Sequence, residues 1–210
     1  MQNRAHLDLG ANAVFLAQGG DIAMSQLRFT SDSTVGSSVI STTALLNGIL
    51  NRTGSVGAYN ATLPTAAQVL AAAPNLSVGD SWSFILRNTV AFAATMVAAT
   101  GMELGADTAI VASAVREYLL TVLGAGPGAT LIARTNTNTQ LTNVAAVDIA
   151  RVSVGQGVTG TGVAANTVII GLDANQGIIY LNNATTATAD NIAITTNPRI
   201  AVNGVRSSPL

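Results

Sequence analysis

The chain has 210 residues, 49% of them hydrophobic but only 9% charged, with a formal net charge of −1; ordinary globular proteins carry about 25% charged residues. All nine basic residues are arginines, cysteine is absent and His6 is the only histidine. These counts exclude disulfides, thiolate metal sites, a cysteine nucleophile and a two-histidine metal site, and nine scattered arginines do not make the basic cluster that nucleic acid or an anionic membrane surface requires.

The first thirty residues, with "HLDL", "AVFL" and a Gly-Gly pair, read as an arm or an edge strand. They lack the basic-then-apolar order of a signal segment. Residues 41–50, "STTALLNGIL", carry an apolar stripe at helical spacing. Residues 65–75, "TAAQVLAAAPN", are alanine-rich, open with a threonine and stop near Pro74, so both segments predict short helices. From residue 80 the period changes to two. "GDSWSFIL" places Trp82, Phe84 and Leu86 on one face, "TVAFAATMVA" places Val90, Phe92, Ala94 and Met96 together, and "AVREYLLTVL" does the same with Tyr118, Leu120 and Val122. Such alternation predicts half-buried strands. "ATLIART", "NTVIIGL", "GIIYLNN" and "NIAITTN" add further short strands, separated by Gly, Asn, Asp or Pro. Neither 88–102 nor 118–133 is a continuous apolar run long enough for a spanning helix.

The prediction is a mainly β chain: an arm or edge strand at 1–30, a β-sandwich body at 31–150 under two short covering helices, and a small Gly-, Asn- and Thr-rich β module at 151–210. Monomers usually keep charge on their surface for solubility. A chain this poor in charge is expected to be soluble by hiding much of its exterior in an assembly.

Few residues carry chemistry. Gly155, Gly157 and Gly160 have the G-x-G-x-x-G spacing of a dinucleotide-binding turn, which needs a strand before it and a helix after it. Here "NTVIIGL" follows, and β-branched residues in a row favour strand. The glycines are therefore read as tight turns, and "GAGPGAT" at 124–130, without the lysine of a phosphate loop, as a connection. Acidic pairs are sparse, Asp8 with Asp21, Glu103 with Asp107 and Glu117 with Asp148; two-carboxylate chemistry needs a facing pair, which distant residues can also assemble in space, and no enzymatic role is expected. No catalytic, cofactor-binding or metal-binding residue is assigned, and no cofactor is called for. Asn-x-Ser/Thr triplets at Asn51, Asn60, Asn75 and Asn183 are ordinary for this composition. Trp82, Tyr118 and Tyr180 read as core rather than as a sugar-stacking platform, and Tyr59, in the loop-like "GSVGAYNAT", as the aromatic best placed for an exposed contact.

The segment "RVSVGQGVTGTGVAANTVIIGLDANQGIIYLNNATTATADNIAIT" resembles a small β module of tailed-bacteriophage virion proteins. Gly155, Val158, Gly160, Gly162, Val163, Thr167, Ile169, Leu181, Ala184 and Thr185 fit its pattern, and Ala164-Ala165 depart from it where Pro and Gly are frequent. Residues 64–123 are similar to phage head-decoration and related virion proteins. The resemblance implies a β-sandwich or jelly-roll-like body, a homotrimer bound to the major capsid protein on the outer capsid surface, and no cofactor, nucleic-acid or membrane partner. A capsid decoration (cement) protein is the function it implies, with the N-terminal arm and the charge-poor loops as contacts to the shell. A tail fibre or spike binding a host glycan is the alternative.

Overall fold

The computed structural model describes residues 28–210, so the expected arm lies outside the described residues except for 28–30. Those three residues begin β1 (Arg28–Asp32), which β2 (Ser38–Val39), α1 (Thr42–Asn47), β3 (Gly48–Arg52), β4 (Tyr59–Thr62) and α2 (Ala66–Ala72) follow. Next come β5 (Ser81–Asn88), β6 (Ala94–Val97), β7 (Met102–Leu104), β8 (Ala109–Ile110) and β9 (Ala114–Gly124). The second half holds β10 (Ala129–Asn136), β11 (Gln140–Thr142), α3 (Ala146–Ile149), β12 (Gly157–Gly160), β13 (Thr167–Asp173), β14 (Ile178–Leu181), β15 (Thr188–Asn197) and β16 (Arg199–Pro209).

The body is two sheets over one core. One has the order β1-β3-β5-β9-β16-β7 and the other β2-β4-β6-β8. The chain visits them alternately. β1, β3 and β5 pair in parallel, and so do β2, β4 and β6. Three successive passes therefore coil in one direction, as in a short β-helix. A jelly roll runs antiparallel, so this half of the body departs from the connectivity that the resemblance implies. The parallel order is invisible to periodicity because each strand alternates in the same way whichever neighbour it takes. Residues spaced irregularly along the chain share a register: Thr30 lies beside Leu50, and Leu50 beside Leu86. β9 then returns antiparallel to β5, and β16 pairs antiparallel with β9.

The inward faces supply the core. Leu50, Phe84, Leu86, Tyr118, Leu120 and Val202 from one sheet meet Tyr59, Ala61, Met96 and Ile110 from the other. Phe84 and Tyr118 stack with ring centroids 6.4 Å apart. The helices pack Ala44, Leu45, Val69 and Leu70 into the same cluster, at about 1.5–3 kcal/mol for each large side chain removed from water. α1 is shorter than its apolar stripe predicts. Gly48, at φ 96°, turns the chain out of the helix, and Ile49 and Leu50 become strand residues between Phe29-Thr30 and Ile85-Leu86. α2 matches its expectation closely. The Thr65 side chain and that of Gln68 cap each other's backbone N–H groups. Val90 and Phe92 do not extend β6; they sit in the corner that precedes it, Val90 buried and Phe92 exposed.

The second unit is a closed barrel in the order β10-β11-β14-β13-β12-β15. Leu131, Leu141, Val158, Ile169, Ile179, Leu181 and Ile194 fill it. It spans 129–197, so the boundary expected at 151 falls inside one hydrogen-bonded unit. β10 and β11 close the barrel, and β16 leaves it to join the body. Composition changes near 151 while strand pairing changes at the 124–129 connection, because pairing follows register and not residue type.

Candidate functional site

The G-x-G-x-x-G glycines sit where the barrel meets the body. No helix follows them; Gly157 and Gly160 bound β12, and β13 comes next. Gly155 has φ +90°, and a Cβ there would overlap the Leu123 carbonyl. The barrel thus rests backbone against backbone on the end of β9, a contact only glycine permits. Arg199 locks the same junction. Its Nε and Nη2 donate to the two carboxylate oxygens of Glu103, and its Nη1 donates to the Gly155 carbonyl at 3.1 Å. An open cleft of about 460 Å³ lies beside this pair, lined by Thr100, Thr159, Asn166 and Asn197 among others.

Each acidic residue of the pairs Glu103 with Asp107 and Glu117 with Asp148 is engaged by an arginine. Glu103 is held by Arg199 and Asp107 by Arg116, at 2.8 Å. Glu117 binds Arg206 in the body, whereas Asp148 binds Arg151 in the barrel. His6, Asp8 and Asp21 lie outside the described residues. Among the described residues there is no group of three His, Cys, Asp or Glu side chains placed to hold a metal ion, and no helix long and apolar enough to cross a membrane. Tyr118 is fully buried, as expected of core, while Trp82 and Tyr180 are half-buried. Tyr59 is not an exposed contact. It is 4% accessible, because its alternation with Asn60 turns the ring inward.

Tyr59 belongs instead to a polar ladder that the sequence does not announce. Asp32, Arg52 and Asn88 end β1, β3 and β5 at matching register positions. Arg52 is 1% accessible. It donates through Nη1 to the Asp32 carboxylate and to Ser38 Oγ, and through Nη2 to the Gly36 carbonyl. Its guanidinium lies 4.7 Å from the Tyr59 ring centroid, a cation–π geometry. Tyr59 in turn donates its hydroxyl to Asn88 Oδ1 at 3.0 Å, and Asn88 Nδ2 donates to the Phe92 and Val111 carbonyls at 2.8 and 3.0 Å. Burial pushes the Asp32 carboxyl upward, but hydrogen bonds from Thr34 and Ser38 and the Arg52 charge outweigh it and hold the group below its usual range. Burial pushes the Tyr59 hydroxyl up to about 12, with the Arg52 charge opposing in part. A buried charge is tolerated when paired and hydrogen-bonded; Arg52 meets that condition through Nη1 and Nη2, while its Nε has no hydrogen-bond partner among the described residues.

The corner loops are stacked. Thr53 N–H donates to the Asp32 carbonyl, Thr89 N–H to that of Arg52, Ser113 N–H to that of Val90 and Leu210 N–H to that of Ser113, at 2.9–3.1 Å. A Cβ on Gly54 would overlap the Ser33 carbonyl, so the first two corners touch. On their outer side stand Val35, Val56, Phe92, Val111 and Leu210, accessible by 66, 73, 40, 60 and 53%. The corner segments 33–38, 53–60, 89–93, 111–113 and 207–210 contain no charged residue. Chemically, these corners form an uncharged edge rich in Ser, Thr and Gly on which each corner carries one large exposed apolar side chain, and the buried ladder bonds the Gly36, Phe92 and Val111 carbonyls from inside. In the sequence its only trace is the pair of Val-Gly steps at 35–36 and 56–57, too short a repeat to stand out.

No family model matches this chain, and no curated protein or solved structure matches it.

Proposed function

We propose that this chain is a structural virion protein, a decoration (cement) protein that attaches as a homotrimer to the major capsid protein on the outer surface of a bacteriophage head and stabilises the assembled shell. The observation that carries the reading is the charge-free edge of corners with exposed apolar side chains on a chain with 9% charged residues. Soluble monomers seldom keep contiguous apolar surface without a partner for it. An interface made from such surface desolvates few ions. A ligand that binds only the assembled lattice stabilises that lattice by mass action, and several copies joined together multiply weak contacts. The barrel adds to the reading: Val158, Ile169 and Leu181 of the virion-module pattern form its core, while Thr167 caps a turn by donating to the Ala164 carbonyl at 2.7 Å. From the resemblance the proposal keeps the shell-bound role and leaves aside the jelly-roll connectivity, which the parallel pairing of β1, β3 and β5 does not follow.

Co-sedimentation of the full chain with undecorated capsids tests the proposal. Saturable binding and a higher temperature of capsid disruption are expected. A chain that leaves every capsid unbound and unstabilised at micromolar concentration overturns it.

A tail fibre or spike that binds a host glycan is the second reading. The coil of β1 to β6 favours it, as does the cleft beside Glu103 and Arg199, whose Thr and Asn lining suits a neutral polyol. Glycan-array binding without capsid binding would select this reading over the first.

A further inference from the structure

We infer that the cleft between the body and the barrel is a site for one uncharged sugar residue, which bridges Thr100 and Glu103 of the body to Asn166 of the barrel. The inference deepens the glycan reading of the cleft and rests on it for the class of ligand. It does not depend on whether the chain also decorates a shell.

Close backbone contacts fix the shape of the cleft. A Cβ on Gly101 would overlap the Pro198 carbonyl, and Ile200 N–H donates to the Gly101 carbonyl at 2.8 Å. The body's wall is thereby joined to the segment between β15 and β16. On the barrel side the Arg199 stem packs against Gly157, where a Cβ would stand 3.3 Å from Cδ. Asn166 precedes β13 in the left-handed region, at φ 57°, a conformation that Asn adopts more readily than most residues. Its carbonyl accepts from the Asn183 side-chain amide at 3.2 Å, and Thr167 Oγ1 closes the same turn on the Ala164 carbonyl at 2.7 Å. The turn is therefore ordered before a ligand arrives, which lowers the entropy lost on binding.

The polar groups of the lining remain open to a ligand. Among the described residues the side chains of Thr100, Asn166 and Asn197 make no hydrogen bond within the chain. Each amide offers two donors and an acceptor, and hydroxyl groups, which both donate and accept, match them. Charge narrows the ligand further. Of the lining side chains only Glu103 and Arg199 are charged, and both carboxylate oxygens accept from the guanidinium. The pair is neutral as a unit. An anion would have to displace Glu103 from Arg199, and a cation would find the carboxylate already paired. The remaining lone pairs of Glu103, whose side chain is 44% accessible, are free to accept from sugar hydroxyls. No aromatic side chain lines the cleft, so a nucleobase has nothing to stack on. At about 460 Å³ the cleft falls within the range of small-molecule sites, roughly 300–1,000 Å³.

Saturation-transfer NMR on the full chain tests the site. Glucose, galactose, mannose, rhamnose and N-acetylglucosamine serve as neutral probes, with sialic acid and inorganic phosphate as charged ones. At least one neutral sugar is expected to bind at millimolar concentration, and neither charged probe. Thr100→Ala with Asn166→Ala, both at exposed positions, is expected to weaken that binding about 10-fold, through the hydrogen bonds lost, with circular dichroism unchanged. Asn175→Ala, exposed on the barrel and outside the cleft lining, leaves binding as it was. Glu103→Gln leaves the Arg199 charge without its partner and is expected to admit sialic acid. Because the walls belong to different units, saturating sugar is also expected to slow proteolysis in the 124–129 connection.

A full chain that binds none of the neutral sugars overturns the inference. Sugar binding that survives in the Thr100 and Asn166 double variant also overturns it, and leaves the glycan reading standing at another place on the chain. Sialic acid or phosphate bound by the unaltered chain as tightly as neutral sugar overturns the choice of ligand. Sugar binding that the double variant loses, in a chain that also sediments with capsids, removes the fibre reading and keeps the inference.

Discussion

The body and the barrel solve the same problem in opposite ways. Both must satisfy strand edges and bury one face of each strand. The barrel pairs its strands in a ring, and its interior is the continuous apolar cluster around Leu131, Ile179 and Ile194. The body stacks open passes instead, and among the described residues β1 pairs only with β3. Its core admits a charge, Arg52, beside Asn88, and both support the corners, whereas the polar side chains buried in the barrel, Thr135, Gln156, Thr167, Thr185 and Thr196, are neutral. Exposed apolar side chains occur on both units. In the body Val35, Val56, Phe92, Val111 and Leu210 stand at the corners and Phe29, Val39, Val78, Leu119 and Val205 elsewhere, while in the barrel Ile132, Val147, Val154 and Ile170 lie on separate segments. Closure pairs every barrel strand on both sides, while stacking leaves the body with an edge strand, β1.

The sharpest way to break the contrast is to remove its support. Arg52→Ala takes from the Asp32 carboxylate its charge partner and from the Gly36 carbonyl its side-chain donor, at a cost of about 3 kcal/mol, the range for breaking a buried charge pair. Urea denaturation measures the loss. Hydrogen exchange is expected to place it in β1 to β6, with the barrel amides still protected.

Gly155→Ala acts between the two units. A Cβ there meets the Leu123 carbonyl at a backbone angle that side chains avoid, and a cost of about 2 kcal/mol is expected from strain and overpacking. Faster proteolysis in the 124–129 connection, with each unit still folded, is the readout. Gly54→Ala, which pushes against the Ser33 carbonyl, is expected to cost a similar amount and to loosen the corners alone.

Titration distinguishes the units next. The folded Asp32 carboxyl lies below its ordinary value of 3.8. Its contribution is therefore present above that pH and is lost as pH falls through the lower folded value. Tyr59 and Tyr118 move the other way, from 10.0 to about 12, burial being the first cause of both shifts. Their contribution is complete below pH 10 and lost as pH rises toward 12. Body signals are expected to melt first at both extremes. Tyr59→Phe with Tyr118→Phe is expected to flatten the alkaline limb; an unchanged limb would place its origin elsewhere.

The smallest effect belongs to the surface. Arg206 is 79% accessible in its pair with Glu117, so Glu117→Gln is expected to shift stability by less than about 0.5 kcal/mol. Thermal melts of the two chains should nearly coincide.

The comparison also shows which parts of the molecule were legible. β5, β9, β10, β13, β14 and β15 follow from period-two alternation, and α2 from Thr65, Gln68 and Pro74. The rejection of a nucleotide-binding turn at Gly155 to Gly160 followed from "NTVII", which forms β13. The ladder was not legible, because Asp32, Arg52 and Asn88 are 20 and 36 residues apart and become neighbours only through parallel register. The burial of Tyr59 is hidden from the sequence for the same reason. Its loop-like surroundings, Gly and Ser, are a corner, and the strand begins at Tyr59 itself.

By itself the sequence determined a mainly β chain without cysteine chemistry, poor in charge and punctuated by glycine, because residue type and short-range periodicity are local properties. Tertiary structure alone decided which strands became neighbours, that one set closed while the other coiled, and that an arginine could be buried to support the corners. Register and burial depend on contacts between distant residues, and no window along the chain contains both partners.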